Sequence, residues 1–345
     1  MQAVITAYNM VSPLGQGKNE TWKNVFSAAY LPRYKLNKSE FELADALFEG
    51  IKPELEGIAP ERTAVVVGNS KYNFSSMGDD SRFLDFFLQH NLSSYLARKV
   101  GRGCIPYSVS AACATGLVNV IRGVEMLSRG LVDVVIAGSI ETSKVPIIEA
   151  AFSQMGIISR TGQTRPFCQN RDGFIIGEGG ALFVLQRKDN NIKNSAPVIK
   201  GYFYGNDCTD AIAFDRDGKS VEMSVKKSMQ MTDLSGIDYI NTHGTATDLN
   251  DLMEINVLSR MFCSGHKPYL GATKSYTGHL LGATGSVELA LCLLSMEQKR
   301  LIPNKFIDQL LPEIKPYLRE PAELNSFLTL NYGFGGHVAA LVVVN

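Results

Sequence analysis

Apolar runs rich in β-branched residues, each bounded by glycine, asparagine, serine or a charge, recur along the chain. They are AVITAY, TAVVVG, YSVS, DVVIAGS and ALFVLQ, then PVIKGYFYG, DYINTHG, PYLGAT, FLTLNYG and VAALVVV. Their near-continuous apolar character predicts strands buried on both faces and alternating with helices, hence an α/β protein. Leu117, Val118, Ile121, Val124 and Leu127 share one face of a helix predicted over Thr115 to Arg129, with Gly130 as its stop. A second, more apolar helix is predicted over Leu280 to Lys299, where Gly282, Ala283, Gly285 and Ser286 let its first turns approach their neighbours closely. Strand, strand, strand, helix, strand, strand occurs twice. This order predicts an internal duplication into halves over 1–190 and 191–345, joined by the polar, turn-rich KDNNIKNSAP.

Composition changes this picture little. The 345 residues are 45% hydrophobic and 20% charged, enough for one large core or two fused ones. Thirty-four basic residues balance thirty-four acidic ones, so no global field draws nucleic acid or an anionic membrane. No apolar run is long enough to span a bilayer, and the start, MQAVITAYNMVSPLG, lacks the pattern of a secretory signal. Cys104, Cys113, Cys168, Cys208, Cys263 and Cys292 are scattered without a CxxC pair, which fits a reducing cytoplasm better than a disulfide framework or a zinc ribbon.

Candidate chemistry gathers at two strand-to-helix junctions. Cys113 lies in YSVSAACATG, where small residues crowd a turn and a helix begins. Unpaired N–H groups and the positive end of the helix dipole would favour its thiolate there. Alternatively it is a buried structural cysteine. Among the histidines His90, His243, His266, His279 and His337, two share a setting after a predicted strand and before a helix: His243 in NTHGTATDLND and His279 in TKSYTGHLLGATG. Each is either a hydrogen-bonded structural residue or part of a site shared with Cys113. The long intervals between the three residues argue against zinc, and a Cys-His hydrolase remains open. Neither GEGG, GFGG nor GATKSYTG has the spacing of a dinucleotide or phosphate loop.

Taken together, VSPLG, YSVSAACATG, DVVIAGSIE, TRPFCQNRDGFIIGEGGALFVLQ, NTHGTATDLNDLMEIN, ATKSYTGHLLGATGSVELAL and NYGFGG resemble, in order and along nearly the whole chain, the β-ketoacyl-acyl-carrier-protein synthases. The resemblance implies the thiolase fold, two similar halves in a five-layer αβαβα sandwich, with the nucleophile in the first half and both histidines in the second. It implies that Cys113 accepts an acyl chain from a carrier protein, while His243 and His279 bind the malonyl thioester and stabilise the enolate left by loss of CO2. Lys274 and Glu288 match a supporting ion pair, Thr245 and Thr247 match positions that contact the pantetheine arm, and Asp251 and Glu254 match acidic supports behind the site. Phe334 resembles a gate whose backbone N–H joins that of Cys113 in an oxyanion hole, and Phe152 a residue lining the acyl tunnel.

The Cys-His-His set resembles the elongating enzymes, as against the initiating Cys-His-Asn type or a thiolase with a second cysteine. No metal or organic cofactor is implied, since the phosphopantetheine belongs to the acyl carrier protein. The implied partners are that carrier and a second ketosynthase-like chain, in a homodimer or with a chain-length-factor subunit. A non-elongating partner subunit and an acyltransferase or hydrolase using Cys113 are the alternatives. Two departures stand out: His337 and Val338 replace the usual Thr and Asn after the glycine turn, and Gly68 to Gly103, in a shortened first half, matches poorly. Both lean toward a specialised polyketide rather than an ordinary fatty-acid pathway.

Overall fold

The structure, a computed structural model, describes residues 2–71, 92–142, 144–188 and 195–345. His90, part of the Gly68 to Gly103 stretch, and the boundary between residues 190 and 191 lie outside the described residues. In chain order the first half contains β1 (Ala3–Ser12), β2 (Gly15–Gln16), α1 (Gly17–Val25), α2 (Glu40–Ile51), β3 (Thr63–Gly68), α3 (Leu92–Val100), β4 (Ile105–Tyr107), α4 (Thr115–Ser128), β5 (Val134–Glu141), α5 (Pro146–Gln154) and β6 (Gly179–Arg187). The second contains β7 (Val198–Asn206), α6 (Lys219–Gln230), β8 (Tyr239–Asn241), α7 (Asp248–Met261), β9 (Tyr269–Gly271), α8 (Lys274–Thr277), α9 (Thr284–Glu297), β10 (Ser326–Gly333) and β11 (His337–Val344).

The strands lie in the order β4-β3-β5-β6-β1-β7-β11-β10-β8-β9, with β2 paired to β1. Each half therefore repeats one arrangement. β3 runs parallel to β4 and β5 as β8 does to β9 and β10, and the pairs β5-β6 and β10-β11 have the same antiparallel sense. The five-strand units join where Ala3 and Val4 of β1 pair with Ile199 and Val198 of β7, so the two sheets of the sandwich are continuous at one corner.

Three cores fill the spaces between layers. Helices α2 and α3 cover one outer face, with Leu43, Leu47 and Leu96 packed on Val65, Val67 and Ile136. Helices α6 and α7 cover the other, with Val221, Val225 and Leu258 packed on Leu328, Leu330 and Val342. Between the sheets, α4 and α9 pack against each other and touch strands of both halves. Burying a leucine- or valine-sized side chain contributes ~1.5–3 kcal/mol, so this middle layer, apolar nearly all round on α9, holds the halves together. At Gly285 an added Cβ would lie 2.8 Å from the Leu117 backbone nitrogen, which is the close approach that the small residues at the start of this helix predict.

Details depart from expectation. The strand expected at YSVS sits earlier, at Ile105–Tyr107, and is exposed at the sheet edge; β7 is only half-buried toward its end. Val109 instead donates its N–H to the Asn119 side chain at 3.1 Å, drawing the chain off the sheet and into the turn before Cys113. The helix expected from Leu280 opens as a 3-10 turn over Leu281–Ala283 and becomes α-helical at Thr284. Among the described residues no helix is long and apolar enough to cross a membrane.

Candidate active site

Cys113 occupies a turn that the sequence builds from both sides. Ala112 takes a left-handed φ of 47°, unusual for a residue with a side chain. The Thr115 hydroxyl fastens the turn by accepting the Ala111 N–H at 2.8 Å and donating to the Ala112 carbonyl at 2.7 Å. Gly333, the last residue of β10, lies so close that an added Cβ would meet the Ala111 carbonyl oxygen at 2.7 Å and the Cys113 nitrogen at 3.0 Å. Among the described residues the Phe334 N–H donates to no protein acceptor, and the Cys113 N–H lies toward its own thiol.

The histidines arrive from the second half. His279 is held between strand-like segments, its N–H on the Ile175 carbonyl at 2.8 Å and its carbonyl accepting from Gly177 at 3.0 Å. The Leu281 N–H donates to His279 Nδ1 at 3.1 Å, with the Thr284 hydroxyl 2.9 Å from the same nitrogen. An N–H can only donate, so Nδ1 is the acceptor and the neutral ring carries its proton on Nε2. Lys274 Nζ lies 3.4 Å from His243 Nδ1 and donates to the His243 carbonyl, which assigns the same tautomer to His243. The two rings are perpendicular, with centroids 5.6 Å apart. Burial first, then the nearby Lys274, holds both imidazoles well below their ordinary pKa, so both are neutral at neutral pH.

Lys274 and Glu288 form the expected buried pair at 2.8 Å. Glu288 also accepts from Asn331 at 2.8 Å and so ties α9 to β10. Behind His243, the Glu254 carboxylate accepts the His243 and Gly244 N–H groups at 2.6 and 2.9 Å. Asp251 accepts those of Phe167 and Ala246 at 2.7 and 3.1 Å. Burial pushes these carboxyls up despite the hydrogen bonds, Asp251 to about 6 and Glu254 to about 7. Through Phe167, and through Arg171 paired with Asp248 at 2.8 Å, a loop of the first half is clamped onto the His243 loop of the second.

Cys113, His243, His279, Thr245, Thr247, Phe152 and Phe334 all line one cavity of about 1240 Å³. The two threonine hydroxyls are 2.9 Å apart. Phe334 stacks on Phe152 at 6.1 Å within an apolar wall that includes Ile148, Phe174, Ile176 and Leu281. Lys274, Glu288, Asp251 and Glu254 stand behind the lining. His337, at the departure from the usual glycine-turn motif, packs on Tyr204 and hydrogen-bonds its hydroxyl at 3.0 Å; Val338 is buried.

One expectation is reversed: burial outweighs the helix N-terminus, and the Cys113 thiol is pushed up to about 11, with Lys71 and Lys274 opposing the rise and Glu141 adding to it. Sequence reasoning passed over Lys71, Glu141, and Phe174, whose ring meets His279 edge-on at 4.7 Å. Lys71 carries no local motif, whereas Glu141 and Phe174 lie inside stretches already matched.

A duplicated α/β fold that turns one cysteine and two neutral histidines toward a common cavity belongs to the thiolase class. Residues 49–191 match the β-ketoacyl synthase N-terminal domain and residues 196–307 its C-terminal domain. The chain belongs to the β-ketoacyl synthase family. It is 30% identical over 75% of its length to an actinorhodin polyketide putative β-ketoacyl synthase of Streptomyces coelicolor, of which the match spans 59%. It is 25% identical over 99% of its length to a putative mitochondrial 3-oxoacyl-acyl-carrier-protein synthase of Schizosaccharomyces pombe, of which the match spans 98%. Its fold superposes with a TM-score of 0.85, at 26% identity over 99% of this chain and 98% of the other, on the structure of a Xenorhabdus doucetiae ketosynthase in complex with its chain length factor.

Proposed function

We propose that the chain is an elongating β-ketoacyl-acyl-carrier-protein synthase, joining an acyl group on Cys113 to a malonyl unit with release of CO2. The observation that carries the reading is the cavity shared by Cys113, His243 and His279, with both Nδ1 atoms committed to donors. In the first stage, the Cys113 sulfur attacks the thioester carbonyl of an acylated carrier protein. The tetrahedral oxyanion falls to the Cys113 and Phe334 N–H groups, and the carrier thiol leaves with the proton.

In the second stage, malonyl-carrier protein loses CO2. The electron pair of the broken bond becomes an enolate, whose oxygen receives hydrogen bonds from the Nε2–H groups of His243 and His279. The enolate carbon then attacks the Cys113 thioester, giving a 3-oxoacyl-carrier protein and freeing the sulfur. Thr245 and Thr247, which line the cavity, would contact the pantetheine arm. Lys274, Glu288, Asp251 and Glu254 hold the histidine loop, and Phe152 and Phe334 bound the acyl side. This chemistry requires no metal or organic cofactor.

The expected partners are an acyl carrier protein and a second ketosynthase-like chain, either a copy of this one or a chain length factor, as in the Xenorhabdus complex. Six unpaired cysteines suit the reducing cytoplasm. Intact-mass measurement after incubation with acyl-carrier protein tests the reading. An acyl adduct is expected on the wild type and none on Cys113→Ala, and malonyl-carrier protein should then discharge it as a product longer by two carbons. Discharge without a new carbon-carbon bond would instead identify a transferase or hydrolase, and no adduct on the wild type a non-elongating subunit.

A further inference from the structure

Four consecutive residues, at the end of β10 and just beyond it, meet four different parts of the site. Asn331 donates to Glu288 at 2.8 Å, Gly333 lies against the Cys113 nitrogen, and Phe334 stacks on Phe152 in the acyl wall. Tyr332, among them, has no role in the condensation just described. It lines the cavity and is only 1% exposed. Its ring packs on the His243 imidazole, with centroids 5.0 Å apart and planes at 56°, and also meets Phe214 at 5.8 Å. Its hydroxyl lies toward the Glu254 carboxylate, which accepts the His243 and Gly244 N–H groups. Tyr332 thus touches the histidine and faces the acid that holds its backbone.

We propose that Tyr332 is a positioning residue for His243, its ring fixing the plane of the imidazole so that the Nε2–H points at the enolate oxygen. A contact at Nδ1 holds one point of the ring but not its plane, and a donor weakens steeply as its direction departs from the acceptor. The two histidines are held alike. His279 has the Leu281 N–H and the Thr284 hydroxyl at Nδ1, at 3.1 and 2.9 Å, with the Phe174 ring at 4.7 Å. His243 has Lys274 Nζ at Nδ1 and the Tyr332 ring at 5.0 Å. The grip at Nδ1 is weaker on His243, a single contact 3.4 Å long, so the aromatic neighbour decides more there. Tyr332 makes and breaks no bond in the reaction and acts only through the ring it supports.

This inference rests on the synthase reading for its kinetic test, in which CO2 release from malonyl-carrier protein and acylation of Cys113 are measured separately. In Tyr332→Leu the kcat for CO2 release should fall about tenfold, with KM changed by less than about twofold and acylation retained, since misdirecting one donor costs rate rather than binding. Tyr332→Phe keeps the ring and should recover most of that loss. Release at the wild-type rate in Tyr332→Leu would overturn the proposal. So would an equal loss of acylation, which would mark a general loosening of β10, or a loss that Tyr332→Phe shares, which would assign the effect to the hydroxyl. Should Tyr332→Leu melt below the assay temperature, Tyr332→Met is judged by the same criteria. A second measurement, the nitrogen-15 spectrum of histidine-labelled protein, needs no carrier. His243 should show one tautomer, protonated on Nε2, in the wild type and in Tyr332→Phe, and averaged nitrogen signals in Tyr332→Leu. A wild type that releases no CO2 would sink the synthase reading, and the spectra would then decide alone: identical signals in all three proteins would overturn the role of Tyr332.

Discussion

The turn that carries Cys113 and the turn that carries Gly282 are the same structure made twice. Ala112 and Leu281 both take φ 47°, Ala114 and Ala283 cap the following helices with nearly equal angles, and Thr-Gly opens both α4 and α9. Sheet register extends the match: β5 ends at Glu141, paired with Gly179, where β10 ends at Gly333, paired with His337. The difference is what fills each turn. In the first, glycine faces the Cys113 N–H and leaves it available. In the second, the Glu141 carboxylate accepts the Gly282 N–H at 3.1 Å. Duplication supplied two addresses for an oxyanion, and the chain closed one with its own acid.

Variants can break this contrast. The largest effect is expected from His243→Ala and His279→Ala, each still acylated but releasing CO2 from malonyl-carrier protein at least about a hundredfold more slowly, the scale of one lost oxyanion donor. Because both rings are neutral well below their ordinary range, CO2 release by the wild type should vary little between about pH 6 and 8, apart from any loss of stability. Gly333→Ala should slow acylation about tenfold, since its Cβ would crowd the Cys113 nitrogen; mass-resolved acylation rates read this. On the other turn, Glu141→Ala strands the Gly282 N–H and should lower stability by ~1–3 kcal/mol in urea unfolding.

A further effect is in pH dependence. Asp251 and Glu254 have folded values raised by burial, to about 6 and 7, so the folded state holds protons that the unfolded chain has already lost. Their contribution is present at low pH and is lost as pH rises toward about 7. Urea unfolding at a series of pH values should show that fall, and Glu254→Gln should flatten its upper part. A stability that rises over the same interval would contradict the assignment.

Much of the fold was legible because it rests on periodicity. Nine of the ten expected strands and the two central helices, in their repeated order, follow from where apolar residues fall. The edge strand was misplaced because Ile105-Pro106-Tyr107 is exposed and carries little of the apolar signal, whereas YSVS has the composition of a strand but is bent away by Asn119. At the site, Cys113, His243, His279 and Lys274 could be read from motifs. The state of the thiol could not, because a local rule about helix ends says nothing of how deeply the sulfur is buried. Glu141 reaches the Gly282 N–H from a position far away in sequence. The repeated Ala-Thr-Gly at 114–116 and 283–285 was visible all along, but only the sheet register shows what it aligns.

Lys274 grips both ends of the histidine pair: it bonds His243 directly, and through Glu288 it is tied to the helix that follows His279. The gap between the two rings is therefore a gauge set by one cation, and shifting either jaw should disturb the other. Losses from paired substitutions at His243 and Lys274 should not multiply, since both spoil the same measurement of one oxygen atom.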